Sequence, residues 1–267
     1  VPTPFLKENN TIPVPDTSFI FNAIDSITSL LVEGDLIIIE STSPVGTTEK
    51  VFNHIKGKTG LTMDKIHIAY CPERVLPGNI LYELENNDRV IGGLTVEASK
   101  KALDIYKLFC HGEHLLTDAK TAELVKLTEN AYRDVNIAFA NEISLVCDHF
   151  NIDPYSLIKL ANYHPRVDIL RPGCGVGGHC IAVDPWFIAS QLPYSTTLIQ
   201  SARKVNDSKP NWIITKVKEV SSKLEIELGR KPIVGCLGLT FKPDVEDLRE
   251  SPALNITLGL IKSGLNI

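Results

Sequence analysis

The run from Arg171 to Trp186 reads Arg-Pro-Gly-Cys-Gly-Val-Gly-Gly-His-Cys-Ile-Ala-Val-Asp-Pro-Trp. Glycines at 173, 175, 177 and 178 lead into Cys180, and Asp184 follows four residues later. Glycines let backbone approach a ligand closely and present N–H groups to an anion. A thiol at a loop-to-helix junction can lose its proton readily and act as a nucleophile. If a helix starts near Cys180, Asp184 lies one turn away and can serve as base or water orienter. Taken alone, the pattern fits a reactive thiol and a small buried hydrophobe about equally well. Cys174 and Cys180 lack metal-ligand spacing, and no second cysteine or histidine pair completes a zinc site. A second group of candidates, Lys126 and Asn130, stands at i,i+4 spacing, with Arg133 one step further along.

The elements that must position these residues follow from the spacing of apolar positions. Residues 17–33 carry helical periodicity and stop at Gly34. Residues 35–40 form an apolar run of the kind found in a parallel sheet covered on both faces. A polar turn over 41–46 precedes a helix that Thr47 or Thr48 can cap. Strands are predicted over 65–70, 89–93 and 113–117, with a helix over 96–110. This alternation implies βαβ units in a doubly wound sheet. From Asp118 to Asp153 there is no Gly or Pro, so one long helix is predicted through Phe150, spanning a domain boundary or a subunit interface. Asp153-Pro154 caps a helix over 154–163. Another helix is predicted after Asp207-Ser-Lys-Pro210, running to about residue 227. Residues 231–239 read as a buried parallel strand, and a helix follows Pro252.

The fold class is therefore α/β, with two doubly wound (Rossmann-like) domains, each partial, joined by a helical central domain with one long helix. The expected division is 1–118, 119–207 and 208–267. Of 267 residues, 43% are hydrophobic and 22% charged, an ordinary globular composition. The net charge of −5 offers no basic field for nucleic acid or anionic membrane. The apolar runs are too short to span a bilayer, and no secretory leader is visible. Six scattered cysteines in a chain of this size imply reduced thiols and a cytoplasmic location. Cys71, Cys110, Cys147 and Cys236 are expected to be buried and inert. The chain begins without Met, in what reads as a loop after a strand, and is expected to be a fragment of a longer protein.

Five blocks together resemble the UDP-glucose/GDP-mannose dehydrogenase family. They are Val1-Pro-Thr-Pro4, Ser41-Thr-Ser-Pro-Val-Gly46, Lys126-Leu-Thr-Glu-Asn130 with Asn141-Glu142, Gly175-Val-Gly-Gly-His-Cys180 with Asp184, and Phe241-Lys-Pro243 with Asp247-Leu-Arg249-Glu-Ser-Pro252. They occur in family order across nearly the whole chain. Cys71-Pro-Glu-Arg-Val-Leu-Pro-Gly78, Asn162-Tyr-His-Pro-Arg166 and His179-Cys-Ile-Ala-Val-Asp-Pro-Trp186 look like the branch that oxidises UDP-N-acetyl-D-mannosamine.

The resemblance implies a four-electron oxidation of the sugar C6 alcohol to a carboxylate with two NAD. Cys180 would form a thiohemiacetal and then a thioester. Lys126 and Asn130 would stabilise the oxyanion, Asp184 would act as base or orient water, and Glu73 would assist thioester hydrolysis. Thr3, Thr42 and Arg249 resemble NAD contacts. Arg74, Val75, Lys126, Asn130, Arg133, His164, Arg166, Gly177, Phe241 and Lys242 resemble contacts to the UDP-sugar. A homodimer through the long helix is expected, with no nucleic acid partner and no membrane insertion. The same chemistry on UDP-glucose or UDP-N-acetylglucosamine is the alternative, as is a non-catalytic UDP-sugar-binding fragment.

Three departures stand out. Pro77 occupies a position where many family members carry a second acid, and Val183 one where many carry lysine. The dinucleotide fingerprint, G-x-G-x-x-G after a first strand with an acid further on, is absent.

Overall fold

The computed structural model describes residues 1–6, 12–75, 79–242 and 246–267. Pro77 and Pro243 lie outside them. The chain forms two compact units: Val1–Glu129 with Trp186–Pro193, and Asn130–Pro185 with Tyr194–Ile267.

The first unit is a sheet with helices on both faces. In order it contains α1 (Ser18–Thr28), β1 (Leu36–Ile39), α2 (Thr47–Thr59), β2 (His67–Tyr70), α3 (Ile80–Asn86), β3 (Arg89–Gly93), α4 (Val96–Tyr106) and β4 (His114–Asp118). The first part of α5 (Ala119–Phe150) also belongs to it. The strands lie side by side in chain order. β1 with β2 and β3 with β4 are parallel, whereas β2 and β3 run antiparallel, with Ala69 opposite Gly93. The sheet is thus mixed.

Successive strand side chains point to opposite faces, and the two cores divide accordingly. Ile37, Ile39, Ile68, Tyr70 and Val90 pack with Ile20, Ile24, Val51, Phe52 and Ile55 of α1 and α2. Ala69, Cys71 and Ile91 pack on the other face with Ala102 and Tyr106 of α4.

The expected caps of α2 are corrected. Its N-cap is Gly46, at φ 89°, with no side-chain cap of its own. Thr47 Oγ1 instead donates to the Pro44 carbonyl. The fully buried carboxylate of Glu123 on α5 accepts from Gly46 N (2.5 Å), Thr48 N (2.8 Å) and Thr48 Oγ1 (2.6 Å). An acid from a distant helix therefore satisfies donors that a first-turn residue would ordinarily take.

The second unit is helical. It holds the remainder of α5, then α6 (Pro154–Ala161), the start of α7 (Asp184–Gln191), α8 (Thr197–Leu228) and α9 (Pro252–Lys262). Asp153 accepts from Tyr155 N and Ser156 N at the start of α6, and Ser251 accepts from Leu254 N at the start of α9.

α8 corrects the sequence reading. It starts ten residues before Asp207 and runs through Pro210. A proline in a helix interior loses one backbone bond and crowds the preceding turn. The hydrogen bonds that Arg203 and Asn206 make to Asp134, and Lys209 to Ser144, offset that cost. The strand expected over 231–239 is also absent. Ile233 makes a single bridge to Asn266, Ile233 is 76% exposed and Leu237 is 98% exposed. The apolar run has strand composition, but among the described residues it meets no strand to pair with. Cys236 is half-buried rather than buried. No helix among the described residues is long and apolar enough to cross a membrane.

Candidate active site

Each unit carries its own cluster of candidate residues. In the second unit, Cys180 lies in a turn and α7 begins only at Asp184, not near Cys180. The Cys180 carbonyl accepts from Val183 N (3.0 Å) and Asp184 N (2.8 Å), so the thiol residue and the acid occupy one tight turn. Asn130 Nδ2 donates to Asp184 Oδ2 at 2.6 Å, and both residues are buried. A hydrogen bond to a buried carboxylate favours its charged form and fixes its direction. Cys180 itself is half-buried.

The glycines before Cys180 have a packing reason. A Cβ on Gly177 would meet Glu250 O at 2.5 Å and Phe241 Cβ and Pro252 Cδ at 2.7 Å. Phe241, Glu250 and Pro252 thus make a close approach to the Gly177 backbone. Gly178 N donates to Arg249 O at 3.1 Å. The Arg249 guanidinium is turned onto Asp247, with Nη2 to Oδ2 at 2.7 Å. It holds the Asp247 carboxyl down at about 2. Its own pKa is raised, chiefly by Asp247 and to a smaller extent by Cys180, so the guanidinium lies within electrostatic reach of the thiol. His179 Nδ1 stands 3.9 Å from Asp247 Oδ2.

Arg133 is exposed on α5, and His164 and Arg166 are exposed beyond the end of α6. Arg166 N donates to His164 Nδ1 at 3.3 Å. The Asn162 side chain clasps their loop through the N–H (2.8 Å) and carbonyl (2.9 Å) of Ile169. Lys242 offers its carbonyl to Thr240 Oγ1 at 2.9 Å. No strand among the described residues leads directly into it.

In the first unit, Glu73 follows β2. Its Oε1 accepts from Arg74 N (2.7 Å) and Val75 N (3.0 Å), and its Oε2 from Arg89 Nη1 (3.3 Å). Arg74 directs Nη1 to Glu129 at 2.6 Å and Nη2 to the Asp88 carbonyl. Lys126 is 8% exposed, and its ammonium has no hydrogen-bond partner among the described residues. It lies one helical turn before Asn130 on α5. Thr3 Oγ1 donates to the Thr42 carbonyl at 2.7 Å.

These two threonines suit the polar edge of a nicotinamide or its ribose. A pyrophosphate needs a cradle of free N–H groups at a helix N-terminus. In α2, Glu123 takes those of Gly46 and Thr48. Thr3 and Thr42 thus fit the nicotinamide end of NAD, and the Gly46 and Thr48 donors of α2 are not free for its pyrophosphate.

Several site-supporting residues were given no role in the sequence reading, although Asn141 stood in one of the quoted blocks. Arg89 braces Glu73, and Asp134, Asn141, Arg203 and Asn206 form a buried polar cluster in the second unit. Asp134 and Asn141 sit seven apart among Ala131, Ala138 and Leu127, so polar residues on an apolar helical face were the available signal.

Sequence comparison matches three domain descriptions in order. The UDP-glucose/GDP-mannose dehydrogenase family NAD binding domain matches residues 1–110, the central domain 120–208 and the UDP binding domain 235–267. A UDP-N-acetyl-D-mannosamine dehydrogenase of Campylobacter jejuni is 52% identical over 272 residues, covering 97% of this chain and 64% of the relative. An NDP-N-acetyl-D-galactosaminuronic acid dehydrogenase of Ralstonia solanacearum is 48% identical, covering 99% and 62%. The solved UDP-D-ManNAc dehydrogenase of Pyrococcus horikoshii has a TM-score of 0.89 at 40% identity, over 98% of this chain and 62% of that one. The chain spans less than two thirds of the length of these curated relatives. On these matches, the chain belongs to the UDP-glucose/GDP-mannose dehydrogenase family.

Proposed function

We propose that the protein to which this chain belongs is a UDP-N-acetyl-D-mannosamine dehydrogenase. It oxidises the C6 alcohol of UDP-N-acetyl-D-mannosamine to UDP-N-acetyl-D-mannosaminuronate, for a bacterial surface polysaccharide. The observation that carries this reading is the buried Asn130–Asp184 hydrogen bond beside the Cys180 turn, in a chain 52% identical to a relative of that name.

NAD, when bound, takes up the hydrides of the two oxidations. The Cys180 thiolate adds to the C6 aldehyde and holds it as a thiohemiacetal, then as a thioester. The buried Lys126 ammonium, without a hydrogen-bond partner among the described residues, and the Asn130 amide stabilise negative charge on the C6 oxygen. Asp184 orients water or accepts its proton, and Glu73, held by two backbone N–H groups and Arg89, supports hydrolysis. Arg133, His164 and Arg166 are exposed and suit a diphosphate or sugar hydroxyls. Arg74, Val75, Gly177, Phe241 and Lys242 complete the proposed UDP-sugar contacts. Thr3, Thr42 and Arg249 are the proposed NAD contacts. The division into 1–118, 119–207 and 208–267 belongs to the same proposal, as does a cytoplasmic location.

A homodimer through α5 is supported by a stripe on that helix. Tyr132, Phe139, Val146 and Phe150 are exposed, with Asn136 and Ile143 between them at alternating steps of three and four. That is the seam two helices share in a coiled coil.

A second reading rests on the missing glycine fingerprint: taken by itself, this chain binds UDP-sugar without turning it over. NADH formed per UDP-N-acetylmannosamine, with UDP-glucose alongside, separates the two. Two NADH per sugar with UDP-glucose inert is the expected result for the whole enzyme. NADH from UDP-glucose alone would move the assignment to that substrate. Cys180→Ser is expected to bind UDP-sugar normally and to form no uronate. Uronate output near wild type from that variant would remove Cys180 as the nucleophile.

A further inference from the structure

A chain of buried hydrogen bonds ties the two long helices of the second unit to the glycine loop, and Asn141 stands at its junction. Asn141 Oδ1 accepts from Gly173 N at 2.8 Å, and Asn141 Nδ2 donates to Asn206 Oδ1 at 2.8 Å. Asn206 Nδ2 in turn donates to Asp134 Oδ1 at 2.8 Å and to the Asp134 carbonyl at 3.1 Å. Arg203 Nη1 donates to the same Asp134 oxygen at 2.6 Å. Asp134 and Asn141 are 0% exposed, Asn206 1% and Arg203 2%.

The chemistry at position 141 is specific. Gly173 N–H can only donate, so the atom facing it must accept, and the atom facing Asn206 Oδ1 must then donate. A primary amide of this length meets both demands with no charge. Asn206 contributes a second point of registration. Pro210 has no N–H to give to the Asn206 carbonyl in α8. A Cβ on Gly175 would come within 3.1 Å of that oxygen. The loop is thus fixed seven and five residues before Cys180.

We propose that Asn141 is a positioning residue for Cys180: by holding the Gly173 amide it sets the path of the glycine loop and so the place from which the thiol attacks. The proposal rests on the reading of Cys180 as nucleophile. A thiol displaced by about 1 Å from its attacking position can lose on the order of a hundredfold in rate. None of the roles drawn from the family resemblance includes Asn141.

Two variants test it. Asn141→Ala removes both hydrogen bonds. Amide exchange over residues 173–178 is expected to rise about tenfold or more, with exchange in α4 unchanged. Asn141→Asp is close to isosteric. Its carboxylic acid can accept from Gly173 and donate to Asn206, whereas its carboxylate can only accept. The charged and titratable groups of the surrounding network are Asp134 on α5, Arg203 on α8 with its partner Asp207, and Lys209 on α8, which lies within electrostatic reach of Asp148 on α5 and Cys174 on the loop. Lys209 Nζ reaches Ser144 Oγ, which donates to the Asn141 carbonyl. The rate of Cys180 alkylation by iodoacetamide, divided by the wild-type rate at the same pH, is therefore expected near one in mild acid. It should fall about tenfold as the new acid ionises. In the full-length enzyme, kcat should fall about tenfold in Asn141→Ala with KM for the UDP-sugar within about threefold. Unchanged exchange over 173–178, or an alkylation ratio that stays flat with pH, would overturn the proposal. A wild type that forms no NADH overturns the dehydrogenase reading instead. Exchange and alkylation then still decide the role of Asn141.

Discussion

The two units are held together in different ways. The first buries a sheet whose alternate side chains feed two apolar cores. The second places Asp134, Asn141, Arg203 and Asn206 where a helical pair would ordinarily bury apolar residues. Apolar packing is non-directional and graded by area. A buried hydrogen-bonded pair is directional and fails when one member is lost. The difference teaches that the sheet supplies a platform, while the polar cluster supplies a fixed register between α5, α8 and the loop that carries Cys180.

The comparison is most easily broken at Arg203. Its Nη1 meets Asp134, and its Nη2 meets Asp207. Burial pushes the Asp134 carboxyl up, and Arg203 opposes that push. Arg203→Met leaves Asp134 without its charged partner and is expected to cost about 3–5 kcal/mol by urea unfolding. The double variant with Asp134→Leu should cost less than either single change, because no buried charge remains. Additive costs would show that the cluster behaves like the apolar cores. In the first unit the expected behaviour is graded. Ile68 is 1% exposed, so Ile68→Ala should cost about 2–5 kcal/mol and Ile68→Val about 1 kcal/mol. A large loss from Ile68→Val would erase the distinction.

The same contrast decides what was legible in the sequence. The strands β1, β2 and β3 could be read because each is a short apolar run bounded by turns, and α5 because no Gly or Pro interrupts it. The Cys180–Asp184 spacing survives as one tight turn, though α7 starts at the acid rather than at the thiol. What could not be read depends on partners far away in the chain. The donors at the start of α2 are satisfied by Glu123, 75 residues beyond Thr48. The start of α8 was misplaced because Pro210 reads as a helix beginning, and its true start is stabilised by Arg203 and Asn206 reaching α5. Residues 231–239 have the composition of a strand, but pairing needs a neighbour, which composition does not encode.

Glu123 puts a buried acid within the first unit, beside its apolar packing. Burial raises its pKa, while the hydrogen bonds from Thr48 and Gly46 oppose that rise. Glu123→Ala leaves Gly46 N and Thr48 N without their acceptor and is expected to cost about 1–3 kcal/mol. Glu123→Gln keeps an acceptor oxygen and should cost less. Thermal unfolding of both variants compares them directly. Equal losses would mean that the charge, rather than the acceptor, does the work at the α2 terminus.

The smallest expected effect lies on the surface of the second unit, at Asp247. Its carboxyl is held at about 2, chiefly by the Arg249 side chain and then by the Arg249 backbone N–H. A carboxyl with a depressed folded pKa adds stability that is present above its ordinary value, near 4, and is lost as pH falls toward 2. Asp247→Asn should therefore lower Tm slightly at pH 5, with the gap to wild type closing by pH 2. Added salt should shrink the gap as well, because the pair is exposed. The substitution also releases the Arg249 guanidinium, whose field reaches Cys180, so the pH profile of Cys180 alkylation should move. A Tm gap that persists at pH 2 would show that Asp247 acts through packing. An unmoved alkylation profile would show that Arg249 keeps its place beside the thiol without Asp247. In that case the Gly178–Arg249 backbone bond, not the exposed ion pair, sets the electrostatics of the cysteine turn.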